Sequence, residues 1–347
     1  MVRKKLENEF SWSFSRHNIF EECPKKYWYT YYGSWEGWLA YSNFGPKKKA
    51  DPLAAYLYAM KQMQSVPMYV GTVVHNSIEK TVKNYQRSKK WPELEDMILL
   101  AQADFEKGLK DCQEERWRTS PKKFSNFIEA YYPDTGKDLE ALKIAGLEKV
   151  GRCITNWYNS SIRSKYLSSA QTSFVGVEEL DSFYVDDIYK VWVVMDLATT
   201  WQQSDGEKYI LFDWKSGKAT DKTIDQLYTY ALFAEKVWRV PHENIVISPF
   251  YLNDNNYIKI GAGQKELLSK DKMIEIENFI RSSCVSMVKN LVNENIKDNK
   301  ANVLDYDYTD NSYRCRNCPF RQLCESVEYK DCDETVLGNS LPAQFSF

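Results

Sequence analysis

The sequence predicts an α/β fold: a mixed central sheet flanked by helices, with a helical insertion ahead of it and a cysteine cluster behind it. Three observations carry this reading. Before residue 173 the apolar residues recur with helical period, as in "MYVGTVVHNSIEKTV" and "GKDLEALKIAGLEKVGRCITNWYNS". From 173 to 215 the texture turns to Val, Phe, Tyr and Trp, in "SFVGVEELDSFYV", "YKVWVVMDLATTW" and "KYILFDWK". A helical pattern, "DKTIDQLYTYALFAEKVW", then precedes one more strand, "ENIVISPFYLN".

Each element has its own signal. "SWSFSRHNIFEECPKKYWYTYYGSW" opens on a Ser-rich cap and continues as an amphipathic helix, which Pro24 interrupts or restarts directly after Cys23. Residues 52 to 85 are mostly helical, as are 91–109 and 136–160, with Pro121 and "YYPDTG" breaking the stretch between the last two. The three apolar runs after 173 form an antiparallel meander, with turns at Asp186-Asp187 and Ser204-Asp205-Gly206. "QKELLSKDKMIEIENFIRSSCVSMVKNLVNE" is a long amphipathic helix. The expected organisation is a single domain over 1–347: an N-terminal cysteine arm (1–35), a helical region (36–170), a catalytic core (171–262), a C-terminal helix with the cysteine cluster (263–335) and a polar tail (336–347).

With 43% hydrophobic and 15% aromatic residues, the chain is not disordered, and a net charge of −2 excludes a general coat of positive charge. The N-terminus has no apolar signal core and no run approaches a membrane span, so a soluble, cytoplasmic protein is expected. Eight cysteines are too sparse for a disulfide scaffold, yet three fall within ten residues.

Residues two apart on a strand share a face, so Asp213 and Lys215 in "YILFDWKSGKAT" stand side by side with Trp214 turned away. An ion pair is the simplest account of them. Asp196, at the end of "VWVVMD" one strand earlier, reads by itself as a strand-end turn residue. Together, two carboxylates at corresponding strand ends offer the oxygen ligands that Mg²⁺ or Mn²⁺ takes, and a lysine beside them meets the charge of a phosphodiester under attack. His75, in "VGTVVHNSIEK", lies on an apolar helix face one turn after Gly71, which would let another backbone approach closely; a packed core histidine is the plain alternative. Gln226 and Tyr230 are i and i+4 and share a face, either as a polar stripe or as a DNA-facing pair.

"CRNCPFRQLC" sets Cys315, Cys318 and Cys324 at metal-binding spacing. The fourth ligand is Cys332, nearest in sequence, or Cys23, and zinc and a [4Fe–4S] cluster both accept four cysteines. Context favours Cys23: Pro24 follows it as Pro319 follows Cys318, Tyr27 and Trp28 stand ready to shield a cluster, and the acidic neighbours of Cys332 in "YKDCDE" would repel an anionic one.

In this order the motifs resemble the PD-(D/E)XK nuclease superfamily, and within it the RecB/AddB-type nucleases with an iron–sulfur cluster, which include CRISPR-associated RecB-type exonucleases. "SFSRHNIFEECPKKYWYTYY" is similar to the N-terminal Cys-Pro-basic-aromatic helix, "GTVVHNSIE" to the G-x-x-x-H motif, and "VMD", "FDWK" and "QLYTY" to the acidic, D/E-x-K and Q-x-x-x-Y motifs. The resemblance implies a restriction-endonuclease-like core. It implies a divalent metal held by His75, Asp196 and Asp213 with the Trp214 carbonyl, and Lys215 as catalytic lysine. Glu178 matches an upstream acidic position for which Glu179 competes, and Gln226 and Tyr230 would orient DNA. Cys23, Cys315, Cys318 and Cys324 would hold a [4Fe–4S] cluster clipping the two ends of the chain together. Val193 stands where the family often has Gly, and no Pro precedes Asp196.

The activity implied is hydrolysis of DNA, as an exonuclease on single strands or ends, in repair, recombination, replication or defence. A helicase or other nucleic-acid-processing protein is the expected partner, since the chain has no Walker motif. The rivals are a non-catalytic DNA- or protein-binding subunit that keeps the fold and the clip, and an iron–sulfur electron carrier.

Overall fold

Capping residues set where the first helices begin. The computed structural model describes residues 7–41, 50–204, 206–261, 263–264, 266–297, 300–325, 334–339 and 341. Cys332 and most of the tail lie outside the described residues. Helix α1 (Phe14–Glu22) starts where Ser13 Oγ accepts the Arg16 N–H. Cys23 ends it, and its sulfur in turn accepts the Lys26 N–H to cap α2 (Pro24–Trp28), which has Pro24 at its first position. The expected break at Pro24 is thus a cap shared between two helices. Asp51 and Pro52 start α3 (Pro52–Met60) in the same way. Then follow α4 (Val66–Ser88), α5 (Leu94–Gln113), α6 (Ile128–Tyr131), α7 (Leu139–Asn159), α8 (Asp221–Val237), α9 (Lys270–Val288), α10 (Ser312–Arg316) and α11 (Arg321–Glu325). The strands are β1 (Thr172–Val185), β2 (Tyr189–Gln203), β3 (Gly206–Lys215), β4 (Ile245–Tyr251), β5 (Asn256–Tyr257) and β6 (Ile260–Gly261).

These elements divide into two compact units. The first draws on Met1–Val66, Lys107–Leu139 and Ser283–Phe347, the second on Pro67–Glu106 and Glu140–Ser282. The first is organised by aromatic rings: Trp12, Tyr27, Trp28, Tyr29, Tyr56, Tyr306 and Phe320 are buried. Lys25 is buried with them, its ammonium donating to the Val303 carbonyl (2.6 Å) and lying 4.7 Å from the Tyr308 ring centre. A buried charge needs such partners.

The second unit holds the mixed sheet, in the order β1-β2-β3-β4-β5 with β6 also on β4. The first three strands are the expected antiparallel meander. Asp186 and Asp187, at φ +54° and +57°, close the first turn with both central residues left-handed, the geometry that suits strand twist. After β3 the chain returns through α8 to β4, which runs parallel to β3. Pro249 sits inside β4 without breaking it, because it falls between the stretches that pair β6 (Val246, Ile247) and β5 (Phe250, Tyr251), and its carbonyl accepts the Ile258 N–H. The apolar positions of α4 (Val70, Val73, Val74, Ile78, Val82) are all buried, as their spacing predicts.

Three boundaries differ from expectation. The long helix expected over 264–294 narrows to α9 (Lys270–Val288). The helical stretch from Pro52 is cut at 61–65, and β2 does not stop at Asp196 but runs on to Gln203. The β-branched and aromatic run "LATTW" extends the strand, so Asp196 lies within β2. It marks instead the end of the β2–β3 ladder, whose first pair is Leu197 with Phe212.

Gly261 tests this edge of the sheet. Its φ is +131°, and a Cβ there would lie 2.0 Å from the Ile245 carbonyl oxygen. Gly261→Ala should therefore destabilise the protein by roughly 1–3 kcal/mol, read as a lower urea midpoint. An unchanged midpoint would show that the β4–β6 pairing contributes nothing.

Candidate active site

The site is assembled in the second unit from α4, β1, β2, β3 and α8. Val177 pairs with Leu197 and Glu179 with Met195, so Glu178 stands directly across from Asp196 on the same face of the hairpin. Glu178 takes φ +51°, left-handed backbone that a residue with a Cβ seldom adopts. Its carboxylate meets His75, whose Nδ1 is 3.7 Å from Glu178 Oε1 and 3.3 Å from Asp196 Oδ1. Glu179 is exposed, which decides between the two glutamates. Gly71 does permit a close approach: a Cβ there would lie 3.0 Å from Ser216 Oγ, so a side chain and not a backbone takes the space.

Asp213 and Lys215 share a face as expected, with Lys215 Nζ 2.8 Å from Asp213 Oδ2. Trp214 points the other way, its ring stacked on Phe212, while its N–H donates to Asp196 Oδ2 and so ties the two acidic strands together. Asp213 is 2% exposed and belongs to the interior, more deeply than its place at the end of β3 suggests. The lysine contact is close but off the hydrogen-bond angle, leaving Oδ2 a buried oxygen with no aligned donor. From α8, Gln226 Oε1 accepts from Lys215 Nζ (3.1 Å) and Gln226 Nε2 donates to the Tyr230 hydroxyl (2.6 Å). Tyr230 is 4% exposed, so it steadies Gln226 and presents no surface of its own.

The charges explain one another. Burial pulls the His75 imidazolium down, but the Asp196 charge, hydrogen bonds to Asp196 and Glu178, and the Asp213 charge push it up to about 10. Burial pushes Asp213 up to about 7, aided by repulsion from Asp196 and opposed by Lys215. Burial also raises Glu178, with Asp196 adding to the effect. Asp196 alone goes below its ordinary value: burial is outweighed by His75, the Trp214 N–H and Lys215. Burial first, then repulsion from Asp213 and Asp196, keeps the Tyr230 hydroxyl protonated.

This donor set fits a divalent cation. The ligand atoms of His75, Glu178 and Asp196 lie within 4.8 Å of one another, and Asp213 adds a buried oxygen without an aligned donor. Three carboxylates and one imidazole suit Mg²⁺ or Mn²⁺.

The profile of the PD-(D/E)XK nuclease superfamily matches residues 11–325. The chain belongs to this superfamily. Its nucleases use divalent metals, in keeping with the His-Glu-Asp group, and their mixed α/β core is the architecture found here. No curated protein matches the chain. Among the described residues no helix is long and apolar enough to cross a membrane.

Four of the cysteines line a separate cavity in the first unit of this PD-(D/E)XK chain. Cys23, Cys315, Cys318 and Cys324 line one cavity of about 180 Å³, together with Lys26, Tyr29, Tyr308, Arg314 and Arg321. Burial, with the other thiols adding, pushes Cys318 up to about 12. The aromatic shield is not the pair that the sequence suggests. Tyr27 packs on Tyr31, Tyr32 and Tyr306, and Trp28 donates to the Ala301 carbonyl, while Tyr29 reaches Cys324 (3.8 Å). The basic residues around the thiols were also missed, although "RCRNCPFR" interleaves them with the cysteines.

The raised values give a pH prediction for metal-free protein. His75, raised above its unfolded 6.5, stabilises below that pH and loses its contribution as pH climbs towards 10. Asp213, raised above about 3.9, likewise stabilises at low pH and loses its contribution through 7. In EDTA the urea midpoint should fall between pH 6 and pH 9, Mn²⁺ at pH 8 should restore it, and Asp213→Asn should flatten the fall. The same slope in Asp213→Asn would refute the assignment.

Proposed function

We propose that the protein is a Mg²⁺- or Mn²⁺-dependent deoxyribonuclease of RecB/AddB type, cutting single-stranded DNA or DNA ends. The observation that carries this is Lys215, held by Gln226 beside two buried strand carboxylates and a His-Glu-Asp group. His75, Glu178, Asp196 and Asp213, with the Trp214 carbonyl, would hold the cation. When bound, it supplies Lewis-acid charge to the scissile phosphate and acidifies an attacking water. Lys215 has three donors and gives one to Gln226, so beside its ion pair with Asp213 it still meets a phosphate oxygen as negative charge builds there. Gln226 aims Lys215 at the DNA, and Tyr230 acts through Gln226. The non-catalytic rival would have no use for an intact Asp213, Lys215 and Gln226 array.

The cysteine site is proposed to hold a [4Fe–4S] cluster on Cys23, Cys315, Cys318 and Cys324. A tetrahedral zinc, at about 2.3 Å from each sulfur, draws the sulfurs to about 3.8 Å of one another. Among the described residues no three cysteine sulfurs lie within 4.8 Å, yet all four line one cavity, which suits a larger group. Lys26, which is ion-paired to Glu22, Arg314, and Arg321, which is ion-paired to Asp134, would offset part of the charge of an anionic cluster. Such a clip would close almost the whole chain into a loop and serve stability.

Two outcomes test these readings. Lys215→Ala should cut the cleavage rate of end-labelled DNA by roughly 10²–10³, the usual loss for one charge-stabilising donor, with Mn²⁺ affinity by calorimetry near wild type; Asp213→Ala should lose both. Cleavage by Lys215→Ala at the wild-type rate would exclude the mechanism. Anaerobically purified protein should be brown, Cys23→Ser colourless and protease-sensitive, and Cys332→Ser unchanged in colour. One zinc per chain in colourless wild-type protein would overturn the cluster.

A further inference from the structure

The carboxylates lead onto an apolar surface that the cleavage site does not use. Beyond the β2–β3 ladder, the distal parts of β1 and β2 continue as a two-stranded arm. One face is core: Phe183, Val185, Val191 and Val193 are buried, and Phe183 meets Phe233 of α8 edge-on. By alternation the opposite face carries Glu178 and Asp196 first, then the pair Leu180 and Val194, then Trp192, then the pair Tyr184 and Lys190. A hairpin with one solvated face is expected to turn polar residues outward. Here Leu180 is 64% exposed, Tyr184 50% and Val194 39%, and Trp192 is half-buried. Lys190 Nζ lies 3.9 Å from the centre of the Trp192 ring.

We propose that this outer face of the β1–β2 arm is a base-stacking platform for single-stranded nucleic acid, guiding a strand to the carboxylates at its base. The proposal rests on the nuclease reading for what happens at that end, but the binding surface is independent of cleavage. At about 3.4 Å per residue, Val194 is one step of roughly 7 Å from Asp196, Trp192 two steps and Lys190 three. The ribbon therefore spans a few nucleotides from the scissile phosphate. Its chemistry selects single strands. The exposed Tyr184 ring and the open part of the half-buried Trp192 ring accept the π-faces of unpaired bases, which a duplex hides. A grip on duplex needs several cations along the phosphates. This arm offers Lys190, with Asp181, Asp186 and Asp187 nearby in sequence and Asp186 already paired to Arg281. Lys190 keeps the Trp192 ring in place and turns an ammonium towards the backbone of the bound strand.

The test is fluorescence anisotropy with labelled (dT)20 and with a 20-base-pair duplex, in Ca²⁺ so that binding is read without cutting. Trp192→Ala and Tyr184→Ala should each weaken (dT)20 binding roughly tenfold, as for loss of a stacked base. Trp192→Phe should recover most of it, and duplex binding should be unchanged. Abasic sugars in the oligonucleotide should cost wild type the same affinity and cost the double variant nothing more. Because the rings are on an open face, an unaltered melting temperature confirms that the variants fold. Wild-type affinity of the double variant for (dT)20, or insensitivity to abasic sugars, would overturn the platform whatever cleavage shows. Ring-dependent binding without any cleavage in Mg²⁺ would instead leave the platform standing and remove the nuclease reading.

Discussion

Asp196 and Asp213 are buried carboxylates on adjacent strands, and most of the second unit can be understood as what that costs and what relieves it. Two like charges in a dry place cannot both persist without positive charge close by. The protein meets this with His75 from α4, Lys215 two residues along β3, and the Trp214 N–H pointed at Asp196. Each comes from a different direction, so the arrangement fixes how α4 and β3 meet the face of β2. In metal-free protein the proton held by His75 and the one retained by Asp213 do part of the work of a cation. A divalent ion would do the same with more charge at shorter range.

The same constraint explains the polar chain on α8. Lys215 is a flexible point charge, and a lysine free to rotate would satisfy Asp213 and go no further. Gln226 takes one of its donors, and the orientation of the Gln226 amide is set in turn by Tyr230, whose hydroxyl is buried and kept protonated. Side chains one helical turn apart thus define where the ammonium points. That is a requirement of electrostatic catalysis, in which the donor must already be aimed before charge develops.

How much of this was legible depended on whether the information was local. The i, i+2 rule put Asp213 and Lys215 together, and the i, i+4 rule put Gln226 on Tyr230; both follow from backbone period alone. Glu178 and Glu179 could not be separated that way, because the choice depends on a left-handed residue and on the register with Asp196 of β2, the next strand. Asp196 reads as a candidate metal residue at a strand end, because nothing in "VMDLATTW" by itself shows that β2 runs on along β3. At the cysteine site the ligands were marked by spacing, whereas Tyr29 and Tyr308 were hidden among many tyrosines in an aromatic-rich chain. Tyr27 and Trp28 adjoin the motif in sequence but their rings pack elsewhere. Residue type marked the candidate groups; it did not mark which of several similar neighbours would face them.

The two sites also differ in what their surroundings would do to a bound group. Around the cysteines, Lys26, Arg314 and Arg321 bring positive charge near thiols of which Cys318 and Cys324 are held protonated by burial, and a bound metal group would draw such thiols into the thiolate form. Around Asp196 the balance is reversed: acidic groups outnumber the lysine, and a hard cation is favoured over a soft one because the donors are oxygen with one imidazole. Metal preference is therefore encoded twice, by ligand type and by the sign of the neighbouring charge. In the cysteine cavity the two criteria are sulfur and basic; at the strand carboxylates they are oxygen and acidic. Exchange of ions between two such sites would be opposed by both terms, so one chain could hold the proposed soft group at the cysteines and a hard cation at the carboxylates.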